Sequence, residues 1–145
     1  MPETIAIVDA SLIIKSLLPD PETFRCQAAL ERLKNSQLVA PALWLYEITS
    51  ALTKAIHFGQ ITKAEGREAL HQALTLGVQI VLPDETQSNL AFDWTGHLKR
   101  ASAYDSFYLV TAEALNAEFW TADLRLVRAL GEKKPEWLHW VGEIE

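Results

Sequence analysis

The sequence predicts an α/β fold, a mostly parallel sheet of about five strands flanked by helices, and three observations carry that expectation. Ile5-Ala6-Ile7-Val8 is an unbroken apolar run. Nothing in it alternates with a polar residue, so both of its faces need cover, as in the middle of a parallel sheet. Similar short runs then alternate with amphipathic stretches along the whole chain, the pattern of strand–helix–strand units. Finally, acids stand where two of these runs stop, at Asp9 and Asp123. The carboxyl ends of strands are where open parallel sheets bind ligands.

Taken in order, the strand at Ile5–Val8 is followed by a short helix over Ala10 to Leu18, stopped at Pro19-Asp20-Pro21. Glu22 to Lys34 reads as an amphipathic helix with Phe24, Ala28, Leu30 and Leu33 on its apolar side. Leu38-Val39-Ala40 is a second strand. Pro41 suits the first turn of a helix from Ala42 to Phe58, and Gly59 suits its end. Trp44, Ile48, Ala51, Leu52 and Ala55 form the inward stripe of that helix. Thr62 and Glu65 make a capping box for a helix through Leu76, closed by Gly77. Val78 to Leu82 is a third strand, and Glu85 to about Leu98 a helix carrying Leu90, Phe92 and Trp94 inward. Ser106 to Asn116 is helical, Ala117 to Thr121 a fourth strand and Leu124 to Leu130 a helix. Trp137 to Val141 forms a short edge strand.

With 145 residues and no repeat or linker, one domain spanning 1–145 is expected. Cys26 is the only cysteine, so no intrachain disulfide or CxxC pair exists; a reducing, cytoplasmic setting is inferred. The start lacks the basic and apolar regions of a signal peptide, and no apolar run is long enough for a membrane span. A net charge of −6 argues against binding nucleic acid through a general positive field. It leaves room for an acidic pocket with basic residues on its rim. Lys99, Arg100, Arg125 and Arg128 crowd the last third and are candidate phosphate contacts; the bland alternative is a solvated face.

Four acids bear on function: Asp9, Glu47, Asp105 and Asp123. Each has a structural alternative. Asp9 and Asp123 suit helix N-caps, and Asp105 has capping-box spacing with Ser102. Glu47 lies about 80° from the centre of its helix stripe, at its flank, or else is simply exposed. A parallel sheet lets all four converge at one edge. Converged carboxylates repel and would hold protons unless a cation neutralised them, and Mg²⁺ or Mn²⁺ suits an all-oxygen set. Zinc fits poorly, because His57, His71, His97 and His139 show no ligand spacing.

Asp9-Ala10-Ser11, Trp44-Leu45-Tyr46-Glu47, Ala103-Tyr104-Asp105-Ser106 and Thr121-Ala122-Asp123, in that order over nearly the whole chain, resemble the PIN-domain nucleases. The resemblance is strongest to the VapC-type toxins of bacterial toxin–antitoxin pairs. It implies a PIN-like twisted sheet, a Mg²⁺- or Mn²⁺-dependent endoribonuclease acting on RNA, and a homodimer inhibited by a small antitoxin. By position, Asp9, Glu47, Asp105 and Asp123 would be the catalytic, metal-holding acids, with Asp9 and Asp105 as direct ligands. Ser11 and Thr121 match supporting hydroxyls. Ser106 departs from the family, which favours a small apolar or second acidic residue there.

The implied chemistry is hydrolysis by metal-activated water, with two ions about 4 Å apart clamping attacking and leaving oxygens. In-line attack would leave a 5′-phosphate and a 3′-hydroxyl on single-stranded RNA. Two rivals remain. A degenerate PIN domain would bind without cutting. A phosphoryl-transfer enzyme would use Asp9 as nucleophile, but the second aspartate expected two residues on in one such class is Ser11 here.

Overall fold

The computed structural model describes residues 4–99 and 103–144. Five strands, β1 (Ile5–Val8), β2 (Gln37–Pro41), β3 (Gln79–Val81), β4 (Glu118–Thr121) and β5 (Leu138–Trp140), form one sheet in the order β3-β2-β1-β4-β5. Every pairing is parallel. β1 lies at the centre, with Ile7 opposite Val39 on one side and Phe119 on the other. Ile7, Val8, Phe119 and Leu138 are fully buried. Such a position in a close-packed core makes truncation costly: Ile7→Ala should lose about 2–5 kcal/mol.

Among the described residues, seven helices connect the strands: α1 (Ala10–Leu17), α2 (Thr23–Arg32), α3 (Leu43–His57), α4 (Lys63–Leu74), α5 (Glu85–Leu98), α6 (Tyr104–Leu115) and α7 (Leu124–Leu130). On α3 the residues Trp44, Ile48, Leu52 and Ala55 are buried, as the three- and four-residue spacing predicts. Thr62 and Glu65 form the full capping box at the start of α4. Gly59 and Gly77 follow α3 and α4 with φ of +74° and +82°, the left-handed region in which a side chain would be strained.

Several expectations are corrected. Pro41 ends β2 opposite Val81 and does not open the helix, which starts at Leu43. Its missing N–H falls beyond the last β1–β2 pair, Ile7 with Val39, and the next amide, Ala42, reaches the Val81 carbonyl at 3.0 Å. Phe24 points outward at 84% exposure, and α2 buries Cys26 and Ala29; Leu33, just past its end, is buried as expected. Leu90 and Phe92 are likewise exposed, while Ala91 and Leu98 turn inward on α5. In both helices small residues share the contact face with Leu30, Trp94 and Leu98, and the exposed side is left to Phe24, Leu90 and Phe92. Helix α4 ends at Leu74, short of Leu76. Helix α6 begins at Tyr104, two residues before the expected start. Ser102, the proposed partner of Asp105 in a capping box, lies outside the described residues.

Candidate active site

Asp9 stands where β1 ends and caps α1, with extended backbone (φ −89°, ψ 170°). Its Oδ1 accepts from the Leu12 amide at 3.0 Å and from Ser11 Oγ at 2.7 Å. Its Oδ2 accepts from Thr121 Oγ1 at the end of the adjacent strand β4. The two hydroxyls are themselves anchored: Thr121 Oγ1 accepts from the Asp123 amide at 2.9 Å, and Ser11 Oγ from the Ala122 amide at 3.3 Å. A small lattice of hydrogen bonds thus fixes the carboxylate where two central strands stop. Only 7% of Asp9 is exposed. Burial pushes its pKa up to about 7, against the pull of those hydrogen bonds, and the charge of Asp123 adds to the rise. Capping α1 therefore does not exclude a second role for Asp9.

Asp123 caps α7 from the next loop, accepting from the Arg125 amide at 3.0 Å and the Leu126 amide at 3.4 Å. Glu47 is half-buried one turn into α3, the rim position its place beside the apolar stripe implies. The Tyr108 hydroxyl donates to its Oε1 at 2.6 Å. Burial raises the Glu47 pKa; the Tyr108 hydrogen bond opposes the rise, and the charges of Asp105 and Asp123 reinforce it. Asp105 lies half-buried in the first turn of α6. Electrostatic coupling thus links Asp9 to Asp123, and Glu47 to both Asp105 and Asp123.

Tyr108 was not singled out by sequence reasoning. It is 2% exposed and stacks on Phe119 with ring centroids 5.6 Å apart and planes 9° from parallel. Its own pKa is raised by burial and by the charges of Glu47 and Asp9. A signal was present: Tyr108 follows Asp105 by three residues, so the two share a helix face. Ser106 turns the other way, fully buried and sharing a hydrogen bond of 2.7 Å with Thr95 of α5. The position that departs from the family thus belongs to helix packing.

Can these residues hold a divalent ion? Among the described residues, no three His, Cys, Asp or Glu side chains are gathered so as to hold one as they stand. Glu47 is turned to Tyr108, and Asp9 to its two hydroxyls. The donor chemistry nevertheless fits a hard cation. The set is all carboxylate, and the upward shifts at Asp9 and Glu47 are the signature of repulsion and burial that a bound cation would offset.

The predicted phosphate contacts are dispersed. Arg125 is highly exposed with its Nε 3.8 Å from Asp123. Lys99 is exposed at the left-handed end of α5, and Arg128 is exposed in the last turn of α7. Arg100 lies outside the described residues. Lys15, which sequence reasoning passed over, lines a groove of about 530 Å³ together with Ser11, Asp123, Arg125 and Trp140. His139 stacks on Trp120 at 4.7 Å, while His57, His71 and His97 are exposed.

An α/β sheet of this order, with acids at the ends of β1 and β4 and on the helices beside them, defines a class. The PIN domain profile matches residues 6–131, and the chain belongs to the PIN-domain family. Among individual proteins it is similar to ribonuclease VapC9 of Mycobacterium tuberculosis, 36% identical over 120 residues, which cover 83% of this chain and 87% of that protein. A VapC ribonuclease of Mycobacterium bovis matches to the same extent. Solved structures agree in fold. VapBC-1 from nontypeable Haemophilus influenzae superposes with a TM-score of 0.62 at 19% identity, covering 97% of this chain and 100% of that one. VapBC2 from Rickettsia felis, solved bound to a promoter DNA fragment, gives 0.64 at 16%, covering 87% and 93%.

Proposed function

We propose that this protein is a Mg²⁺- or Mn²⁺-dependent endoribonuclease of the VapC kind, the toxin of a toxin–antitoxin pair. The observation that carries the proposal is the electrostatic coupling of Asp9, Glu47, Asp105 and Asp123 beside the ends of β1 and β4. The similarity to VapC ribonucleases supports the substrate class and the toxin role.

In this reading Asp9 and Asp105 would hold the ion directly, and Asp123 and Glu47 would complete the set. When bound, the ion supplies a nucleophile from water at neutral pH and neutralises charge building on the phosphate. Ser11 and Thr121 hold both oxygens of Asp9 in one orientation, so the carboxylate is placed before the ion arrives. Tyr108 holds Glu47 at the rim. Lys15 and Arg125 are available to strand phosphates on the α1–α7 side.

The assembly follows the same analogy. A homodimer and a small antitoxin partner are proposed, and the exposed Phe24, Leu82 and Phe92 supply apolar surface for such contacts. Trp44 and Trp120 are buried, and the other three Trp are half-buried. Among the described residues, no helix is long and apolar enough to cross a membrane.

The test is cleavage of single-stranded RNA by purified protein with Mg²⁺ or Mn²⁺, abolished by EDTA. Asp9→Asn and Asp105→Asn should each slow cleavage about a hundredfold or more. Full activity in both variants would overturn the assignment. Tight RNA binding with no cleavage under any of these conditions would favour a binding module.

A further inference from the structure

Two grooves each take one of the four acids into their walls, Asp123 in one and Glu47 in the other, and the groove on the α3 side has the make-up of a nucleobase seat. Leu43, Tyr46, Glu47 and Lys54 of α3 line it together with Tyr104, the first residue of α6. It is open, mainly apolar in its walls and about 400 Å³ in volume, within the range of small-ligand clefts. Tyr46 is 72% exposed and Tyr104 65% exposed. Each immediately precedes an acid of the site, Tyr46 before Glu47 and Tyr104 before Asp105. The fold therefore presents two aromatic rings to solvent next to the proposed reaction centre, although burial would stabilise the chain more.

We propose that Tyr46 and Tyr104 form a stacking seat for one unpaired nucleobase beside the scissile phosphate, with Lys54 meeting a neighbouring phosphate of the same strand. The inference rests on the nuclease reading above and adds a substrate-binding site to it. Three features select this occupant. Glu47 belongs both to the acid cluster and to the groove wall, so whatever fills the groove is continuous with the reacting group. Aromatic faces bind any base without sequence readout, which suits single-stranded nucleic acid. Lys54 stands seven residues after Glu47, about 10 Å along the helix, where a positive charge can meet the backbone of a strand whose base is seated. On the other flank of the acids, Lys15 and Arg125 line the second groove, giving an extended strand a cationic exit.

The experiment measures binding of a fluorescent 12-nucleotide oligoadenylate by anisotropy, with Ca²⁺ in place of Mg²⁺ to fill oxygen ligands without the smaller ion's strict geometry. A matching strand of abasic sugar-phosphate serves as the second probe. Tyr46→Ala and Tyr104→Ala should weaken oligoadenylate binding by roughly five- to 150-fold each. They should bind the abasic strand as the wild type does, and Tyr46→Trp should retain affinity for the oligoadenylate. Lys54→Ala should weaken both probes alike and flatten the salt dependence by about one unit of slope. Unchanged melting curves will establish that the exposed-site variants fold. Wild-type affinity of both alanine variants for the oligoadenylate would overturn the seat and leave the nuclease reading standing. Conversion of a dimer to monomer by Tyr46→Ala, with RNA affinity unchanged, would overturn it too and assign the groove to a second copy. A wild-type protein that neither binds nor cuts RNA would remove the nuclease reading and the seat together.

Discussion

The Tyr108 hydroxyl donates a hydrogen bond of 2.6 Å to Glu47 across 61 residues of sequence, tying the start of α3 to the middle of α6. Because the ring is clamped against Phe119, the donor has little freedom and Glu47 is held in one rotamer. Tyr108→Phe keeps the stack and removes only the donor. A hydrogen bond to a charged group contributes about 1.5–3 kcal/mol, so the variant should melt lower by a corresponding amount. The Glu47 carboxyl also loses the contact that opposes its upward shift, so its pKa should rise further. Carboxyl-resolved NMR titration checks the direction; an unchanged Glu47 titration would mean that the bond is not formed in solution.

Asp9 makes stability depend on pH. Its folded pKa of about 7 lies above the ordinary value of 3.8, so the folded protein holds the proton more tightly than the unfolded chain does. Below about pH 4 both states are protonated and Asp9 imposes no penalty. Between pH 4 and 7 the unfolded chain releases its proton first, so stability falls as pH rises. Above pH 7 the full penalty is present, on the order of 4 kcal/mol. In EDTA, the melting temperature should therefore drop from pH 5 to pH 8, and Asp9→Asn should flatten that drop. Identical slopes for the two proteins would place the titration elsewhere.

Asp123 can be divided into its two roles by substitution. Asparagine caps a helix about as well as aspartate, whereas alanine costs about 1 kcal/mol. Asp123→Ala should thus melt below Asp123→Asn. Both variants lose the charge that raises the pKa values of Asp9 and Glu47. If that charge also helps hold the ion, the rise in melting temperature on adding Mn²⁺ should shrink in both, since the rise reports binding to the folded state. A rise equal to that of the wild type would leave Asp123 as a helix cap alone.

Cys26 offers a probe of opening. It is fully buried in α2, and burial pushes its thiol pKa up to about 12. Thiol-directed reagents act on the thiolate, so the native protein at pH 8 should react orders of magnitude more slowly than the chain in urea. Rapid labelling under native conditions would mean that α2 opens locally.

The order of strands and helices was legible because the strands are short, mostly apolar runs and several helices carry boundary signals, such as the Thr62–Glu65 box and Gly59. Asp9 and Asp123 were legible for the same reason: they stand where such runs stop. What escaped was the choice among faces. Phe24, Leu90 and Phe92 are apolar, yet α2 and α5 turn Cys26, Ala29 and Ala91 toward their neighbours. Hydrophobicity per residue does not reveal how closely two backbones will approach. Tyr108 escaped because its partner lies on another helix, and only the three-residue spacing from Asp105 hinted at a shared face.

The hydrogen bonds around Asp9 also order events during synthesis. Asp9 is made early, but Thr121 follows 112 residues later, and β4 must come to lie beside β1 before that hydroxyl can reach the carboxylate. At about 5–20 residues per second, roughly six to twenty seconds separate the two. During that interval a nascent chain can pair β1 with β2 and β2 with β3, since those strands and their helices precede Thr121. It then has a half-built sheet whose central strand exposes one edge, and Asp9 without its hydroxyl from β4. The half of the acid cluster that lies beyond residue 100 is missing as well. For a protein whose proposed substrate is single-stranded RNA, late closure of the centre would keep the unfinished chain from cutting what surrounds it.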